Sequence, residues 1–540
     1  MNARPVPREA HGPRTTALPC HLALLCGALA IAAPAAAVPL VSHDLRLGPA
    51  QTAWFAAAYQ LGCGPLQLGA GRIADRYGPR RVLLSALAVF TAGSLLAAAA
   101  VGGPWLVGAR LMQGAGGSAL SPVSLTLLLQ WCPGPEAEPR AVAGWVSTAG
   151  VASCLGPLLG GSLAALLGWR AVFGALAALA AFTFRRVHAG PADRPRDSQE
   201  AGGDDRSEVP GIDRSDVPGT GRLDALGTER SDVPGIERLD APGIVLCTGT
   251  AGAVVVGLTA PAAQEPALAV AAAGAVAVLL PLAVHRARQH VHSALDVRLL
   301  REAPSRRALL VLLILFAANS AFTYLLYFAL ARGHGLGPFR AALVMLPAAL
   351  PAVVAGRLAA RRTGRGAGPA LMRGGLLLMA AGLLTGCAGR HEPTPLWLTG
   401  CACALVGCGL GLANGAAMAT VTGCRDRRRT SAAVATATAF AMAGGAAGPA
   451  VAGAVLTAVG ELVPVCGAPA CVPRGPAPAA AAASGDAGAG PYAAVGVHVS
   501  LSLLGLATAA AALTLAHGGT RSDTARRGRR PGPNAGRADP

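Results

Sequence analysis

The chain has 540 residues, 53% of them hydrophobic and only 13% charged, with a mean hydropathy of +0.49. Ordinary soluble domains carry roughly 25% charged residues, so this composition excludes a disordered chain and argues against a soluble enzyme. The net charge is +18, and with no Lys all 45 basic residues are Arg. They sit in short clusters between apolar runs, which reads as topology signals facing anionic lipid rather than a nucleic-acid surface.

Apolar runs of about 17–25 residues can cross a bilayer, and fourteen are expected along the chain. The first spans about Leu18 to Val41, behind a 1–17 tail holding Arg4, Arg8 and Arg14. It exceeds the roughly 7–15-residue core of a signal peptide, so it is read as a retained helix. Five more begin near Ala50, Val82, Pro104, Arg140 and Trp169, closing a first six-helix bundle over 18–185.

The next stretch, 186–242, is different. Of the 27 acidic residues, 13 lie between Asp193 and Asp240. An eight-residue unit recurs there: RSEVPGID, RSDVPGTG, RLDALGTE, RSDVPGIE, RLDAPGIV. Pro-Gly in nearly every unit blocks helix and strand, so a disordered cytoplasmic linker is expected.

Two extra spans follow over 243–285, starting near Gly243 and Pro266. A second six-helix bundle occupies 306–516, with spans starting near Arg306, Phe339, Leu371, Pro395, Thr430 and Tyr492. A basic tail, 517–540, ends the chain.

Loop charge tests this count. Arg72, Arg76, Arg80 and Arg81 follow span two; Arg185 and Arg186 follow span six; Arg286, Arg288, Arg298 and Arg301 follow span eight. Arg361 and Arg362 follow span ten, Arg425 to Arg429 span twelve, and Arg526 to Arg530 span fourteen. Odd loops hold isolated Arg such as Arg46, Arg170 and Arg390. The excess of Arg in even loops places them and both termini in the cytoplasm of a cell-membrane protein.

The halves repeat each other. GRIADRYGPR at Gly71 matches GRLAARRTGR at Gly356, an offset of 285, and GPLLGG at Gly156 matches GPAVAG at Gly448, an offset of 292. Related bundles around a shared site are the architecture of alternating-access transporters. The 13 Cys lie mostly in apolar runs without metal-ligand spacing, so no metal is expected. Cys466 and Cys471 share a polar outer loop, where a disulfide is left open. No phosphate-binding G-x-x-x-x-G-K-[ST] occurs, and no cofactor is expected. Acids and His are too scattered for an enzyme centre.

The run Gly71–Leu84, GRIADRYGPRRVLL, resembles the loop 2–3 signature of the major facilitator superfamily. Arg110, Gln113 and Gly114 in ARLMQG resemble its fourth-helix motif. Gly156, Pro157, Gly160 and Gly161 in GPLLGG resemble the motif of its antiporters, and HSALDVRLLR from His292 resembles a loop of its fourteen-span drug:proton branch. The resemblance implies an all-α membrane protein, a two-bundle fold with 14 transmembrane helices functional as a monomer in lipid. Its implied function is export of a hydrophobic or amphipathic small organic substrate in exchange for protons.

The resemblance also assigns roles. Gly71, Asp75, Arg76, Gly78 and Arg80 would form an inner gate. Arg110 and Gln113, with Asn319, Tyr324 and Tyr327 of span nine and Asn414 of span twelve, would serve coupling or substrate contact in a central cavity. The small-residue face of span five would meet another helix, with Pro347 and Pro351 of span ten as candidates opposite. The branch usually carries an Asp in span one, and Ala30 stands at that position. That departure keeps an uncoupled facilitator or carrier of another solute as a second reading, and a non-transporting membrane sensor as a third.

Overall fold

The computed structural model describes residues 13–132, 137–191, 241–260, 266–289, 299, 301–387, 395–422, 427–467 and 505–512. The octapeptide linker, Cys471, the terminal tails and most of the fourteenth expected span lie outside them.

The expected first span is two elements. Helix α1 (Pro13–Ala35) holds Pro34 in its last turn, and the chain restarts as short α2 (Val38–Asp44), with Pro39 in its first turn. Pro34 and Pro39 both lack an N–H, so the ladder breaks between them. The first half continues with α3 (Pro49–Tyr77), α4 (Pro79–Ala98), α5 (Gly103–Trp131), α6 (Ala137–Leu167) and α7 (Trp169–His188). Between the halves come α8 (Ala241–Thr259) and α9 (Pro266–Gln289). The second half has α10 (Ala303–Gly333), then α11 (Pro338–Met345) running through a 3-10 turn (Leu346–Ala348) into α12 (Ala349–Arg362). A π-helical segment (Thr363–Ala367) leads into α13 (Gly368–Cys387), followed by α14 (Leu396–Thr422) and α15 (Arg427–Gly467).

The first thirteen expected spans all coincide with helices, and residues 505–512, within the fourteenth, are helical. Eleven stretches among the described residues are long and apolar enough to cross a membrane. Helices α3 and α5 fall outside that set although each has 29 residues, about 43 Å at 1.5 Å per residue. They carry Gln60, Gln67, Arg110 and Gln113, all buried by neighbouring helices. These four side chains are shielded from lipid rather than exposed to it.

Lipid supplies no hydrophobic force between helices, so close approach of small residues has to hold the bundle. A Cβ on Gly114 of α5 would lie 2.1 Å from the Tyr59 carbonyl oxygen of α3, and one on Gly116 2.4 Å from the Phe90 nitrogen of α4. In the second half, a Cβ on Gly411 of α14 would lie 2.1 Å from the Ala352 oxygen of α12, and one on Gly409 2.5 Å from the Gly375 oxygen of α13. A Cβ on Gly160 of α6 would meet the Ala33 oxygen of α1 at 2.0 Å; one on Gly448 of α15 would meet the Ala317 oxygen of α10 at 2.4 Å. The repeat in the sequence is therefore also a repeat of helix crossings.

Two seams join the halves. Helix α3 lies along α15, where a Cβ on Gly64 would press the Met442 Cβ at 2.9 Å. Helix α6 lies along α11 and α12. Helix α8 packs over the first seam: Val255 is buried with Ala57 and Leu61 of α3 and Ala446 and Ala450 of α15. The Trp54 Nε1–H donates to Thr259 Oγ1 at 3.0 Å. Helix α9 packs on α8 and presents exposed Val270 and Val278, as a lipid-facing helix should.

Gly160→Ala forces a Cβ into the Ala33 carbonyl and should cost about 1–3 kcal/mol by overpacking. Gly174→Ala, with nothing within 4 Å of the new carbon, should be neutral or gain up to ~1 kcal/mol from helix propensity. Thermal unfolding midpoints of both variants in detergent check the ordering.

Candidate functional site

Arg110 lies on α5 and is 3% exposed. One guanidinium nitrogen, Nη1, donates to the Ala30 carbonyl of α1 at 3.0 Å and to Gln113 Oε1 at 2.6 Å. Gln113 sits one helical turn on, so it shares the face of Arg110. Its Nε2 donates to Ser94 Oγ of α4 at 2.8 Å, and Ser94 donates to the Phe90 carbonyl at 2.7 Å. Three rings enclose the cation: Tyr59 at 4.9 Å, and Phe55 and Phe173 each at 5.8 Å from the guanidinium carbon. Such faces attract a desolvated cation by about 2 kcal/mol or more at best.

No carboxylate pairs with Arg110 among the described residues, and its Nε has no hydrogen-bond partner there. A bare Arg at mid-membrane costs ~2.5–3.5 kcal/mol on insertion scales, so the rings and carbonyl offset part of a cost that stays partly unmet. Ala30 is fully buried, and its carbonyl takes the Arg110 bond. The residue at which the family resemblance expects an acid is thus the residue lying against this cation.

Enclosure of Arg110 and Gln113 within the first bundle differs from the expected place in a cavity between halves. The cause is the ring cage, which sequence reading missed. Only 4% of the chain is aromatic, and three of those few rings converge on one Arg; no local spacing announces that.

The Gly78 turn joins α3 to α4. Gly78 takes φ 90° and ψ 131°, a region open essentially to glycine alone. Its N–H donates to the Ala74 carbonyl at 2.9 Å, and its carbonyl accepts from the Val82 N–H at 3.1 Å. Arg80 Nε donates to the Val187 carbonyl at 3.2 Å and its Nη2 to the His188 carbonyl, so this side chain caps the last turn of α7. Arg76 stacks on the Tyr77 ring at 5.3 Å. Gly71 and Asp75 are exposed on the same end. In the second copy of this motif, Arg357 Nη2 donates across the seam to Ser147 Oγ of α6 at 3.2 Å.

The small-residue face of α6 divides between two partners. A Cβ on Gly156 would meet the Ala32 Cβ of α1 at 2.5 Å, and Gly160 also presses α1, through Ala33. Gly161 alone crosses to the other half, 2.7 Å by the same measure from the Pro338 carbonyl of α11. Ala342 of α11 also lies against Gly161, and Gly150 of α6 faces Val353 of α12. Pro157 lies inside α6 without ending it.

In α10, Tyr324 is buried with its ring 5.1 Å from Phe328, Tyr327 is buried, and Asn319 is partly exposed. Asn414 is partly exposed on α14. These residues do not form one hydrogen-bonded cluster with Arg110.

At the end opposite the Gly78 turn, Asp44 Oδ2 accepts from Trp169 Nε1 at 2.7 Å and from Arg170 Nη1 at 2.9 Å. Arg170 Nη2 also donates to the Ala100 carbonyl at 3.1 Å, and its guanidinium lies 4.3 Å from the Trp169 ring. This contact ties α2 and α7 to the segment that follows α4. The bond from Trp169, then that from Arg170, holds the Asp44 carboxyl below its usual range. No group of three or more potential metal ligands occurs among the described residues.

A family model described as Major Facilitator Superfamily matches residues 20–449. The chain is 29% identical over 359 residues to the multidrug efflux pump LfrA of Mycolicibacterium smegmatis, covering 66% of this chain and 64% of that protein. It is 39% identical over 163 residues to the cephamycin export protein CmcT of Amycolatopsis lactamdurans, covering 29% of this chain and 33% of that one. The matched stretches thus span less than two thirds of either relative. A solved bacterial homologue of the lysosomal transporter Spinster, in an inward-facing and unoccupied conformation, superposes with a TM-score of 0.58 at 14% identity. That match covers 94% of this chain and 96% of the homologue.

A carboxyl held below its ordinary pKa of about 3.9 stabilises the fold above that value and loses the contribution as pH falls through the depressed one. Both partners are about half exposed, at 48% and 47%, so the contribution is small, up to ~1 kcal/mol. Thermal midpoints of the native chain and Asp44→Asn should differ at pH 6, begin to approach each other below pH ~4, and converge only below the depressed value.

Proposed function

The chain belongs to the Major Facilitator Superfamily, and from that premise we propose that it exports hydrophobic or amphipathic small molecules from the cell by proton antiport through alternating access. The observation that carries the reading is the family match together with two repeated bundles that meet along helix seams. Seams of small residues allow two rigid halves to rock, because sliding one glycine face over another breaks few polar contacts. The likeness to multidrug and antibiotic exporters supports the direction and the substrate class.

The Arg clusters of α3–α4, α7, α9 and α12 support a cytoplasmic Gly78 end and cytoplasmic termini in the plasma membrane. The seam contact Arg357–Ser147 is then an inner-gate contact, and the Asp44 cluster faces outward. The chain acts as a monomer in lipid and has no enzymatic chemistry.

A second reading, an uncoupled facilitator, is favoured by Ala30, which leaves Arg110 without an acid to exchange a proton beside it. Purified protein in proteoliposomes with ethidium decides between them. Antiport accumulates the dye several-fold in an acidified lumen, since protons leave as dye enters; equal flux with and without the gradient leaves facilitation. Ala30→Asp should steepen the gradient dependence. Arg110→Ala should lower initial flux at least about tenfold, from loss of charge-assisted bonds worth ~1.5–3 kcal/mol. No flux of any dye tested would overturn the transport reading.

A further inference from the structure

The two acceptors on Arg110 Nη1 differ in kind. Gln113 belongs to the same helix, whereas the Ala30 carbonyl belongs to α1, so this second bond fastens α5 to α1. A carbonyl inside an α-helix is ordinarily committed, because the C=O of one residue accepts from the N–H four residues on. For Ala30 that donor position is residue 34, and Pro34, inside α1, has no N–H to give. The Pro34 ring also crowds the carbonyl four residues back and tilts it away from the helix ladder.

The ladder stays irregular beyond that point. The Ala37 N–H donates to the Pro34 carbonyl at 3.0 Å, three residues back rather than four, and α2 begins at Val38. Ala30 and Arg110 are both buried. Inside a bilayer a freed carbonyl must find its donor on a neighbouring helix, and a buried cation must find an acceptor. Each group supplies what the other lacks. We infer that Pro34 is a positioning residue for Arg110: by withholding its N–H it leaves the Ala30 carbonyl as a fixed acceptor for the guanidinium. That acceptor stands at the residue where the family resemblance expects an acid, so a backbone dipole takes the place of a side-chain charge. It anchors the cation to α1 without neutralising it.

A double-mutant cycle on thermal midpoints in detergent tests the contact without transport. Pro34→Ala restores an N–H that competes with Arg110 for the Ala30 carbonyl, and it also gains helix propensity. In an Arg110→Met background only the gain remains. Pro34→Ala should therefore raise the midpoint there by more than it does with Arg110 present. Equal shifts in the two backgrounds overturn the inference.

The second arm rests on the export reading. Pro34→Ala should lower initial ethidium flux about threefold to tenfold, the weight of one weakened hydrogen bond. Lactic acid at position 34, introduced by nonsense suppression, carries the alanine side chain on an ester and has neither the ring nor an N–H. It should restore flux toward the native rate. An ester chain as slow as the alanine chain, or an alanine chain as fast as the native one, overturns the inference. This comparison keeps Arg110, so it stands if Arg110→Met fails to fold. If the native chain carries no dye the export reading fails, and the thermal cycle still decides the contact.

Discussion

Helices in lipid gain nothing from hiding apolar surface from water, and this constraint shapes the whole molecule. What remains is dispersion at short range, and dispersion requires backbones to approach until carbonyl meets Cα. Glycines on the described helices supply that approach. They are concentrated where it matters: Gly114 and Gly116 let α5 enter between α3 and α4, and Gly409 and Gly411 let α14 enter between α13 and α12. Each half is thus a bundle wedged by one glycine-rich helix. Bulk comes instead from Leu, Phe and Val facing lipid or filling the gaps between crossings.

The same close packing allows a cation to be stored inside. Arg110 lies on the wedge helix α5, where neighbouring backbones are near enough to offer a carbonyl and nearby rings offer their faces. Gln113 relays the contact to Ser94, so three helices are held through one polar thread. The thread is complete except at Nε, and it contains no acid. Among the described residues this guanidinium has no acidic partner whose protonation would release it. Any proton coupling must then reach this group from another place, or run through other residues.

Much of the architecture is legible in the sequence because hydropathy and loop Arg are read by the same solvent that sorts the helices. The thirteen helix positions and the duplication follow from patterns over tens of residues. Where the pattern is short, other forces decide. The first apolar run is continuous in hydropathy, yet Pro34 and Pro39 divide it into α1 and α2. The GPLLGG face was legible as a contact face, but its principal partner is α1 because sequence spacing says which side is small, not which helix arrives there. The Arg110 cage was hidden because Phe55, Tyr59 and Phe173 come from two helices far apart in sequence.

The duplicated loop motif shows how one sequence pattern diverges in two settings. In the first copy the chain turns sharply at Gly78, and Arg80 binds α7 of its own bundle. In the second copy the chain passes from α12 through the π-helical Thr363–Ala367 into α13, and Arg357 reaches across to Ser147 of the other bundle. A motion that separates α6 from α12 must break the Arg357 bond, while the Arg80 bonds travel intact with their bundle. The second copy, where Ala360 stands at the position of Asp75, thus contributes a polar bond between the halves. The first copy keeps a positive-φ glycine at its turn, where the second has Thr363 at the matching position and runs on as helix.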